Sequence, residues 1–329
     1  MGVAADHDAF DPASIIRIGS GLQRPECVLA TARGDLYTAD WRGGIAHLHP
    51  DGRQTLYRCE FAGGRPVRPN GIALRPNGSF LFADLGADLG GVFALGRDGS
   101  VRPFLEEVDG VPLPPSNFVF EDAKGRVWIT VSTRRVPRAL GYRREVADGF
   151  IVQVDSRGAR IVADGLGYTN EAVLDARGEW LYVNETFARR TARFPVRADG
   201  SLGAREIVVE YGAGTYPDGM AFDEDGHLWI VSIVSNRLLR VAPDGTVATM
   251  LEDADPAHVA WVEQAYVAGE LGRPHLDGVK SRMLRNISSI AFGGHDRRTA
   301  YLGCLLDDAI YAFRSPVAGL APAHWNWPA

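Results

Sequence analysis

The sequence is poor in cysteine, and its three cysteines follow no spacing that a metal site or a disulfide framework requires. Cys27, Cys59 and Cys304 lie far apart, and no CxxC pair occurs in the 329 residues. Structural zinc sites and small disulfide-stapled domains both need closely spaced cysteines. Neither is predicted, and the composition fits a reducing compartment, so we expect a cytoplasmic protein.

Long hydrophobic runs and one-sided charge are also missing. Residues 1–8 contain neither the basic nor the apolar segment of a signal peptide, and no run of about eighteen apolar residues occurs. The net charge is −6, with acidic and basic residues interspersed and no basic patch. We therefore expect a soluble protein that is not exported and that binds neither membranes nor nucleic acid.

Several common catalytic motifs are absent. The sequence contains no GxSxG nucleophile elbow, HExxH zinc motif, phosphate-binding P-loop or GxGxxG dinucleotide motif. This excludes the enzyme classes that depend on those motifs. The eight histidines are scattered, and two of them, His258 and His275, lie in a long insertion. His275 is a candidate substrate contact, and the alternative is a structural role.

What the sequence does contain is an internal repeat, seen most clearly in residues 216–232. There, Pro-Asp-Gly predicts a turn, Met-Ala-Phe a short strand, Asp-Glu-Asp-Gly a hairpin turn and Leu-Trp-Ile-Val a second strand. Six copies share a polar index residue and a turn residue eight positions later. The index residues are Glu26, Asn70, Asn117, Asn170, Asp218 and Ser288. The turn residues are Gly34, Gly78, Gly125, Gly178, Gly226 and Asp296.

The period of this repeat predicts the fold. The first five index residues recur every 44 to 53 residues, as four-stranded propeller blades do, and the last interval of 70 residues requires an insertion. Two strands cannot bury a face alone, so neighbouring copies must supply the partner. We predict an all-β fold, a six-bladed β-propeller forming a single domain over residues 1–329. Its blades are expected to begin near residues 25, 69, 116, 169, 217 and 287.

The two ends of the chain are predicted to meet in one blade. The last copy shows three strands, near residues 289–292, 300–304 and 310–313, and lacks an outer strand. Residues 14–19, Ser-Ile-Ile-Arg-Ile-Gly, predict a strand that belongs to no blade of its own. If this N-terminal strand completes the last blade, the ring closes and its open edges disappear.

Two insertions interrupt the repeat, at residues 132–149 and 252–286. The second contains a predicted helix over residues 255–269, because Asp255 is a suitable N-cap, Pro256 suits the first helical position and Gly269 ends the pattern. By their positions in the blades, both insertions should cover the face where the innermost strands begin. We expect residues 252–286 to form a short helical lid that limits substrate size.

The index residues should converge around the central channel as a ring of oxygen-bearing side chains. Pro-Asn-Gly and Pro-Asp-Gly also suit turns, and this is the alternative interpretation of Asn70 and Asp218. Glu26 has no such explanation, because no glycine follows it and a buried glutamate needs a partner. One Glu, one Asp and two Asn carry a formal charge of −2, which a divalent cation would neutralise. Oxygen ligands favour calcium, magnesium or manganese over structural zinc.

These residues carry a resemblance to a known family. Pro25-Glu26, Ser116-Asn117, Thr169-Asn170-Glu171 and Tyr216-Pro217-Asp218-Gly219, with Ile290-Ala291-Phe292-Gly293-Gly294, resemble the senescence marker protein/gluconolactonase family of six-bladed propeller hydrolases, over roughly residues 15–315. The resemblance implies that Glu26, Asn170 and Asp218 bind a divalent metal. It makes Asn117 a further ligand or a substrate contact. Calcium is the expected ion, with manganese, magnesium, zinc and iron(II) as alternatives. Diisopropyl fluorophosphatase is similar in fold and in its Glu, Asn, Asn, Asp pattern.

The chain departs from the family pattern next to the third index residue. Animal gluconolactonases have an arginine two residues before the blade-three Asn, where this chain has Pro115, and the acidic partner in the next loop is replaced by Ser132-Thr133-Arg134-Arg135. Arg134 and Arg135 could hold a substrate carboxylate, or they could be solvated loop charges. Asn70 is a further candidate substrate contact.

The leading functional hypothesis is a metal-dependent hydrolase that opens a lactone or a related small ester. The metal would act as a Lewis acid, Asp218 as a ligand and as base or nucleophile, and Asn117 as a second catalytic residue. A phosphotriesterase of the fluorophosphatase type is one alternative. A non-catalytic binding propeller stabilised by metal is the other. The expected partner is a small-molecule substrate, and the protein is either a monomer or a homo-oligomer.

Overall fold

Antiparallel sheets account for nearly all of the regular structure. The computed structural model describes residues 12–328. Within that range the strands form six four-stranded sheets and one two-stranded ribbon. In each of the six sheets the strands pair with their neighbours in an antiparallel register, which is the blade pattern of a propeller. The predicted six-bladed β-propeller is confirmed.

Strand β1 (Ile16–Ile18) precedes the first blade. The first blade contains β2 (Val28–Ala30), β3 (Leu36–Asp40), β4 (Gly44–Leu48) and β5 (Gln54–Arg58). The second contains β6 (Pro69–Leu74), β7 (Phe80–Asp84), β8 (Val92–Leu95) and β9 (Val101–Leu105). The ribbon of β10 (Glu107–Val108) and β11 (Val111–Pro112) follows.

The third blade contains β12 (Ser116–Glu121), β13 (Val127–Val131), β14 (Gly149–Asp155) and β15 (Gly158–Leu166). The fourth contains β16 (Thr169–Leu174), β17 (Trp180–Glu185), β18 (Arg190–Pro195) and β19 (Glu206–Glu210). The fifth contains β20 (Tyr216–Phe222), β21 (Leu228–Ile233), β22 (Arg237–Val241) and β23 (Val247–Glu252). The last contains β24 (Ile287–Gly293), β25 (Thr299–Cys304) and β26 (Ile310–Arg314).

The N-terminal strand completes the last blade. Strand β1 pairs antiparallel with β26, so that Ile16 lies opposite Ala312 and Ile18 opposite Ile310. The resulting order in the sheet is β1-β26-β25-β24. This pairing covers the edge of β26 that would otherwise be open, and it joins the two ends of the ring. The predicted closure is confirmed.

Helices are few and lie in the second insertion. Helix α1 (Pro256–Val267) begins where the sequence predicts, because the Asp255 side chain accepts a hydrogen bond from the His258 backbone N–H at 2.8 Å. A second helix, α2 (Arg273–Asp277), was not predicted. Single 3₁₀ turns occur at Pro12–Ser14, Ala62–Gly64 and Arg138–Gly141. Over residues 12–328, none of the helices has the length and apolar character that crossing a membrane would require.

The two insertions pack on each other and on the blade loops beneath them. The Tyr142 and Phe187 rings pack at a tilt of 37° with centroids 4.7 Å apart, and both belong to one buried apolar cluster with Tyr266 from α1. The Tyr266 hydroxyl donates to the Phe187 carbonyl at 2.6 Å. Arg143 of the first insertion donates to the Leu271 carbonyl of the second at 2.6 Å. Together the insertions form a roof over one region of the propeller.

The glycines of Pro-Asn-Gly and Pro-Asp-Gly have a different role from the turns that the sequence suggested. Gly71 and Gly219 lie inside strands β6 and β20, and neither has a positive φ. A Cβ on Gly219 would lie 2.5 Å from the Cα of Ser289 in the next blade, and one on Gly71 would lie 2.5 Å from the Cα of Phe118. The turn interpretation is wrong here: the glycines allow adjacent inner strands to approach each other closely.

We expect ring closure to be needed for stability. Deleting residues 1–20 removes β1 and its three paired positions with β26, so the free energy of unfolding should fall by roughly 2 to 4 kcal/mol, at about 1 kcal/mol for each of the two or four ladder hydrogen bonds lost. Thermal unfolding measures this loss. Arg17→Ala is the control, because it removes only the exposed ion pairs with Asp307 and Asp308 and should cost less than about 1 kcal/mol. A truncated protein with an unchanged melting temperature would contradict the closure argument.

Candidate functional site

The index residues are aimed into the channel by irregularities in the inner strands. In five blades the register between the first and second strands shifts where the index residue lies. These shifts fall between Pro69 and Ile72, Ser116 and Phe118, Thr169 and Ala172, Pro217 and Met220, and Ile287 and Ser289. A β-bulge turns a side chain away from the regular alternation and interrupts pairing. In the first blade, Glu26 precedes the innermost strand.

Hydrogen bonds join the first three index residues. The Asn70 amide nitrogen lies 2.8 Å from Glu26 Oε1 and 3.0 Å from the Asn117 backbone oxygen. The Asn117 amide nitrogen donates to the Ser132 hydroxyl at 2.9 Å. Ser288, the last index residue, donates its hydroxyl to the Glu26 backbone carbonyl at 2.9 Å. Except for the Asn117–Ser132 bond, which lies within the third blade, these bonds cross between blades and hold the ring in one geometry.

A second chain of hydrogen bonds orients Asn170. The Thr186 hydroxyl donates to the Pro217 carbonyl at 2.8 Å, so its oxygen is left to accept the Asn170 amide N–H at 2.9 Å. The Asn170 side-chain nitrogen thus donates to Thr186. The Asn170 Oδ1 is buried and has no hydrogen-bond partner. Asn70 Oδ1 is buried without a partner in the same way. Buried acceptors of this kind are costly unless something binds them.

Three buried carboxylates lie at the same place. Glu26, Asp218 and Glu171 are only 4%, 3% and 5% exposed. Burial raises the pKa of Glu26 to about 7, against the opposing effects of Arg24 and of the Asn70 hydrogen bond. Burial also raises the pKa of Asp218 well above its ordinary value, and the charge of Glu26 raises it further.

Glu171 is the site residue that sequence reasoning missed. Burial raises its pKa well above the usual range, and the charges of Glu26 and Asp218 add to that effect. Its Oε2 accepts a hydrogen bond from the Met220 backbone N–H at 3.1 Å. The available signal was an acidic residue within a strand, directly before the apolar residues 172–174 of β16. A regular strand would point Glu171 away from its neighbour Asn170, and only the bulge brings both to the channel side.

This donor set fits a divalent cation. Removing three carboxyl groups from water opposes their ionisation, and their mutual repulsion opposes it further. The unpartnered Asn170 oxygen adds a neutral donor beside them. A hard cation bound by carboxylate and amide oxygens would relieve both costs.

Two other groups of acidic residues and histidines lie at turns of the propeller: Asp35 with His47 and His49, and Asp223 with Asp225 and His227. Asp35 already pairs with the His47 ring at 2.7 Å. Asp223 Oδ2 accepts from the Trp229 indole at 2.9 Å and from Arg240 at 2.8 Å. Their carboxylates therefore already have protein partners, unlike the Asn70 and Asn170 side-chain oxygens in the channel.

Comparison with known proteins identifies the family of this chain. The family model described as the SMP-30/gluconolactonase/LRE-like region matches residues 25–268, which is most of the chain and includes five of the six index residues. The chain belongs to this family. The resemblance seen in the sequence motifs is thereby confirmed, while the likeness of the metal site to that of diisopropyl fluorophosphatase stays a prediction.

Relatives of this SMP-30/gluconolactonase/LRE-like protein cover nearly its whole length. A 6-deoxy-6-sulfogluconolactonase from Pseudomonas putida is 26% identical over 287 residues, covering 84% of this chain and 81% of that protein. A gluconolactonase from Xanthomonas campestris aligns with a TM-score of 0.67 at 16% identity, covering 94% of each chain. A calcium-binding regucalcin from Agrobacterium tumefaciens aligns with a TM-score of 0.66 at 17% identity, covering 92% of this chain and 95% of the other. At these identities, the two structures show a shared fold.

Three predicted substrate contacts of this family member lie outside the hydrogen-bonded ring. Arg134 makes a bidentate ion pair with Asp164, in which Arg134 Nη1 lies 2.7 Å from Asp164 Oδ1 and Arg134 Nη2 lies 3.0 Å from Asp164 Oδ2. The Arg135 side chain is exposed, 3.5 Å from an Asp148 oxygen. His275 packs against the Trp261 ring at 4.2 Å, and its Nδ1 accepts from the Gly272 backbone N–H at 3.1 Å.

The raised pKa of Glu26 predicts an unusual pH dependence in metal-free protein. The Glu26 carboxyl should stay protonated in the folded state up to a pKa of about 7, whereas the unfolded chain releases the proton near 4.5. The unfolded state therefore binds fewer protons between these values. Stability should fall as pH rises from 4.5 to 7 and then level off, and this one group contributes roughly 3 kcal/mol.

Denaturant unfolding at several pH values, after chelation, measures this effect. Glu26→Gln should make the fall in stability shallower, because it removes one titrating group and keeps the size of the side chain, while Asp218 and Glu171, whose pKa values are also raised, still contribute. Glu60→Gln is the matched control at an exposed position and should leave the slope unchanged. If wild type and Glu26→Gln show the same change in stability between pH 5 and 7, Glu26 is ionised in the folded protein despite its burial.

Proposed function

We propose that this protein is a lactonase, a hydrolase that opens a cyclic ester with the help of a divalent cation held by Glu26, Asn170 and Asp218. The observation that carries the proposal is the unpartnered Asn170 oxygen beside buried carboxylates whose pKa values are raised. An arrangement that costs folding energy without a ligand is typical of a functional site. Burial in the channel of a rigid ring suits a small-molecule substrate.

The named relatives support the reaction class and the ion. The Pseudomonas putida relative is named for the hydrolysis of a sugar lactone, and a lactone is accordingly the proposed substrate. The Agrobacterium tumefaciens regucalcin is described as a calcium-binding protein. Calcium is therefore the proposed ion, and metal analysis distinguishes it from manganese, magnesium, zinc or iron(II).

Each residue has a proposed part in the reaction. A bound divalent cation would supply Lewis-acid polarisation of the ester carbonyl. Glu26 and Asn170 hold the ion, and the Asn170 oxygen is kept in place by Thr186. Asp218 is a ligand that also acts on the substrate, either as the base that takes a proton from the attacking water or as the nucleophile. Water adds to the carbonyl carbon, the ring C–O bond breaks, and the released alkoxide oxygen takes the proton.

The charges around Asp218 support its use as a base. Burial and Glu26 raise the pKa of Asp218, whereas Arg24 and Arg138 lower it. A carboxylate whose pKa lies above the usual range of aspartate accepts a proton more readily than an ordinary one. Asn117 and Asn70 are the proposed substrate contacts, and the Asn70 amide nitrogen lies 3.3 Å from Asn117 Oδ1 and 2.8 Å from Glu26 Oε1. The roof formed by the two insertions would exclude solvent and limit the size of the substrate.

Two substitutions separate metal binding from chemistry. Glu26→Gln removes one ligand charge, so metal affinity should fall by about tenfold or more, and activity should return in part at high metal concentration. Asp218→Asn keeps an oxygen and removes the base or nucleophile, so kcat should fall roughly 100- to 10,000-fold without rescue by metal. Asp244→Asn, in an exposed outer turn, is the matched control. Metal content, kcat and KM on a neutral lactone are the measurements.

Several results would contradict this proposal. If Asp218→Asn binds metal and hydrolyses lactone at the wild-type rate, Asp218 has no part in the chemistry. A pH-indicator screen of lactones, simple esters and fluorophosphates tests the reaction class. Turnover of fluorophosphates alone would favour a phosphotriesterase. If the metal-loaded protein turns over none of them, and if chelation lowers its melting temperature, the protein is a metal-stabilised binding propeller.

A further inference from the structure

Three arginines from separate segments face the carboxylate ring. Arg24 lies two residues before Glu26, Arg138 begins the 3₁₀ turn of the first insertion, and Arg273 begins helix α2 of the second. Arg24 and Arg138 both act electrostatically on Glu26 and on Asp218. Arg24 also interacts with Arg138 and Arg273. Arg24 is two residues from Glu26 in the chain, and Arg138 hydrogen-bonds Tyr168, two residues before Asn170, so both lie beside the ring.

The partners of the two inner arginines are neutral. Arg138 donates from Nε and from Nη2 to the Tyr168 hydroxyl, at 2.8 and 2.6 Å. The Arg24 guanidinium lies over the Trp41 ring at 4.7 Å, and its Nε is buried with no hydrogen-bond partner. Across residues 12–328, neither guanidinium has a carboxylate oxygen within 4.0 Å. Arg273, at the exposed edge, pairs with Asp277 at 3.1 Å.

Metal binding would leave the positive charge of these arginines without a compensating negative charge. Glu26 and Asp218 are the negative charges that act on Arg24. A divalent cation on these carboxylates would neutralise their charge, and the arginines would then face a positive ion as well as each other. Half-buried guanidinium groups in that position need an anion. The donors left free, including the Arg24 Nε, are suited to an oxyanion.

We propose that Arg24 and Arg138, with Arg273 at the rim, bind a negatively charged group of the substrate, so that the preferred substrate is an anionic lactone. The charged group is a sulfonate, a phosphate or a carboxylate carried on the part of the molecule remote from the ester. The ester carbonyl lies at the carboxylate ring and the anion lies towards the roof. This inference rests on the proposed lactonase function and adds the substrate class.

The test compares one neutral lactone with three anionic ones. Glucono-1,5-lactone is the neutral substrate, and its 6-sulfonate, its 6-phosphate and its 6-carboxylate distinguish the three anions. For wild type, kcat/KM on at least one anionic lactone should exceed that on the neutral one by about tenfold or more. Arg24→Gln and Arg138→Gln should lower kcat/KM on that lactone roughly 10- to 100-fold more than on the neutral one, mainly through KM, because any effect through the pKa of Asp218 falls on both substrates alike.

Matched variants separate anion binding from folding. Arg144 lies on the exposed side of the same insertion. Arg144→Gln should change kcat/KM neither on the neutral lactone nor on the anionic one. Arg24→Lys and Arg138→Lys keep the positive charge and lose the planar guanidinium that can bind an anion with two hydrogen bonds. Compared with the Gln variants, they should recover part of the preference for the anionic lactone. Melting temperature and metal content are measured for every variant. If a Gln variant is unfolded, the Lys variant at that position decides the outcome.

A binding measurement makes the test independent of turnover. Calorimetry with the ring-opened acid of each anionic lactone should give a Kd on wild type that weakens at least about tenfold in Arg24→Gln and Arg138→Gln. Equal kcat/KM on neutral and anionic lactones, or equal losses on both in the variants, would overturn the anion subsite and leave the lactonase proposal intact. If no lactone is hydrolysed, the lactonase proposal fails. Calorimetry then still decides whether the arginines bind an anion.

Discussion

The removal of three carboxyl groups from water is the constraint on which the rest of this structure depends. Glu26, Asp218 and Glu171 are nearly inaccessible, and their pKa values are raised because burial and mutual repulsion oppose ionisation. Such an arrangement persists only if the surrounding scaffold is stable enough to impose it. A closed ring of six sheets meets that requirement, because the inner strands approach one another too closely at Gly71 and Gly219 to leave room for a Cβ.

The scaffold and the site are joined by hydrogen bonds that cross from blade to blade. Thr186 lies in a loop of the fourth blade, accepts from Asn170 and donates to Pro217 in the fifth. Ser288 of the last blade holds the backbone of Glu26 in the first. A cation that binds the ring would thus bind side chains from several blades at once, and it would stabilise the folded state by mass action. Stability and function are coupled through the same few residues.

Much of this could be predicted from the sequence because the repeat is a local signal. The spacing of index residue and hairpin turn is encoded within each copy, and Gly34, Gly78, Gly125, Gly178 and Gly226 all take the positive φ that the predicted turns require. The helix start at Asp255 is equally local. Glu171 and the arginines Arg24 and Arg138 were missed for the opposite reason. Glu171 reaches the ring through a bulge, Arg24 through a loop and Arg138 through an insertion. No local sequence pattern predicts the conformation of these segments.

The sequence by itself determined the number of blades, the strand that closes the ring and the polar residue that each blade brings towards the channel, because all of these depend on period and on short-range turn chemistry. Only the tertiary structure decided which charges face one another. It directs Arg134 to Asp164 at the surface and brings Arg138, four residues later, near Glu26. The physical reason is that an electrostatic interaction depends on the distance between two charges and on their burial after folding. Their separation in the sequence does not enter.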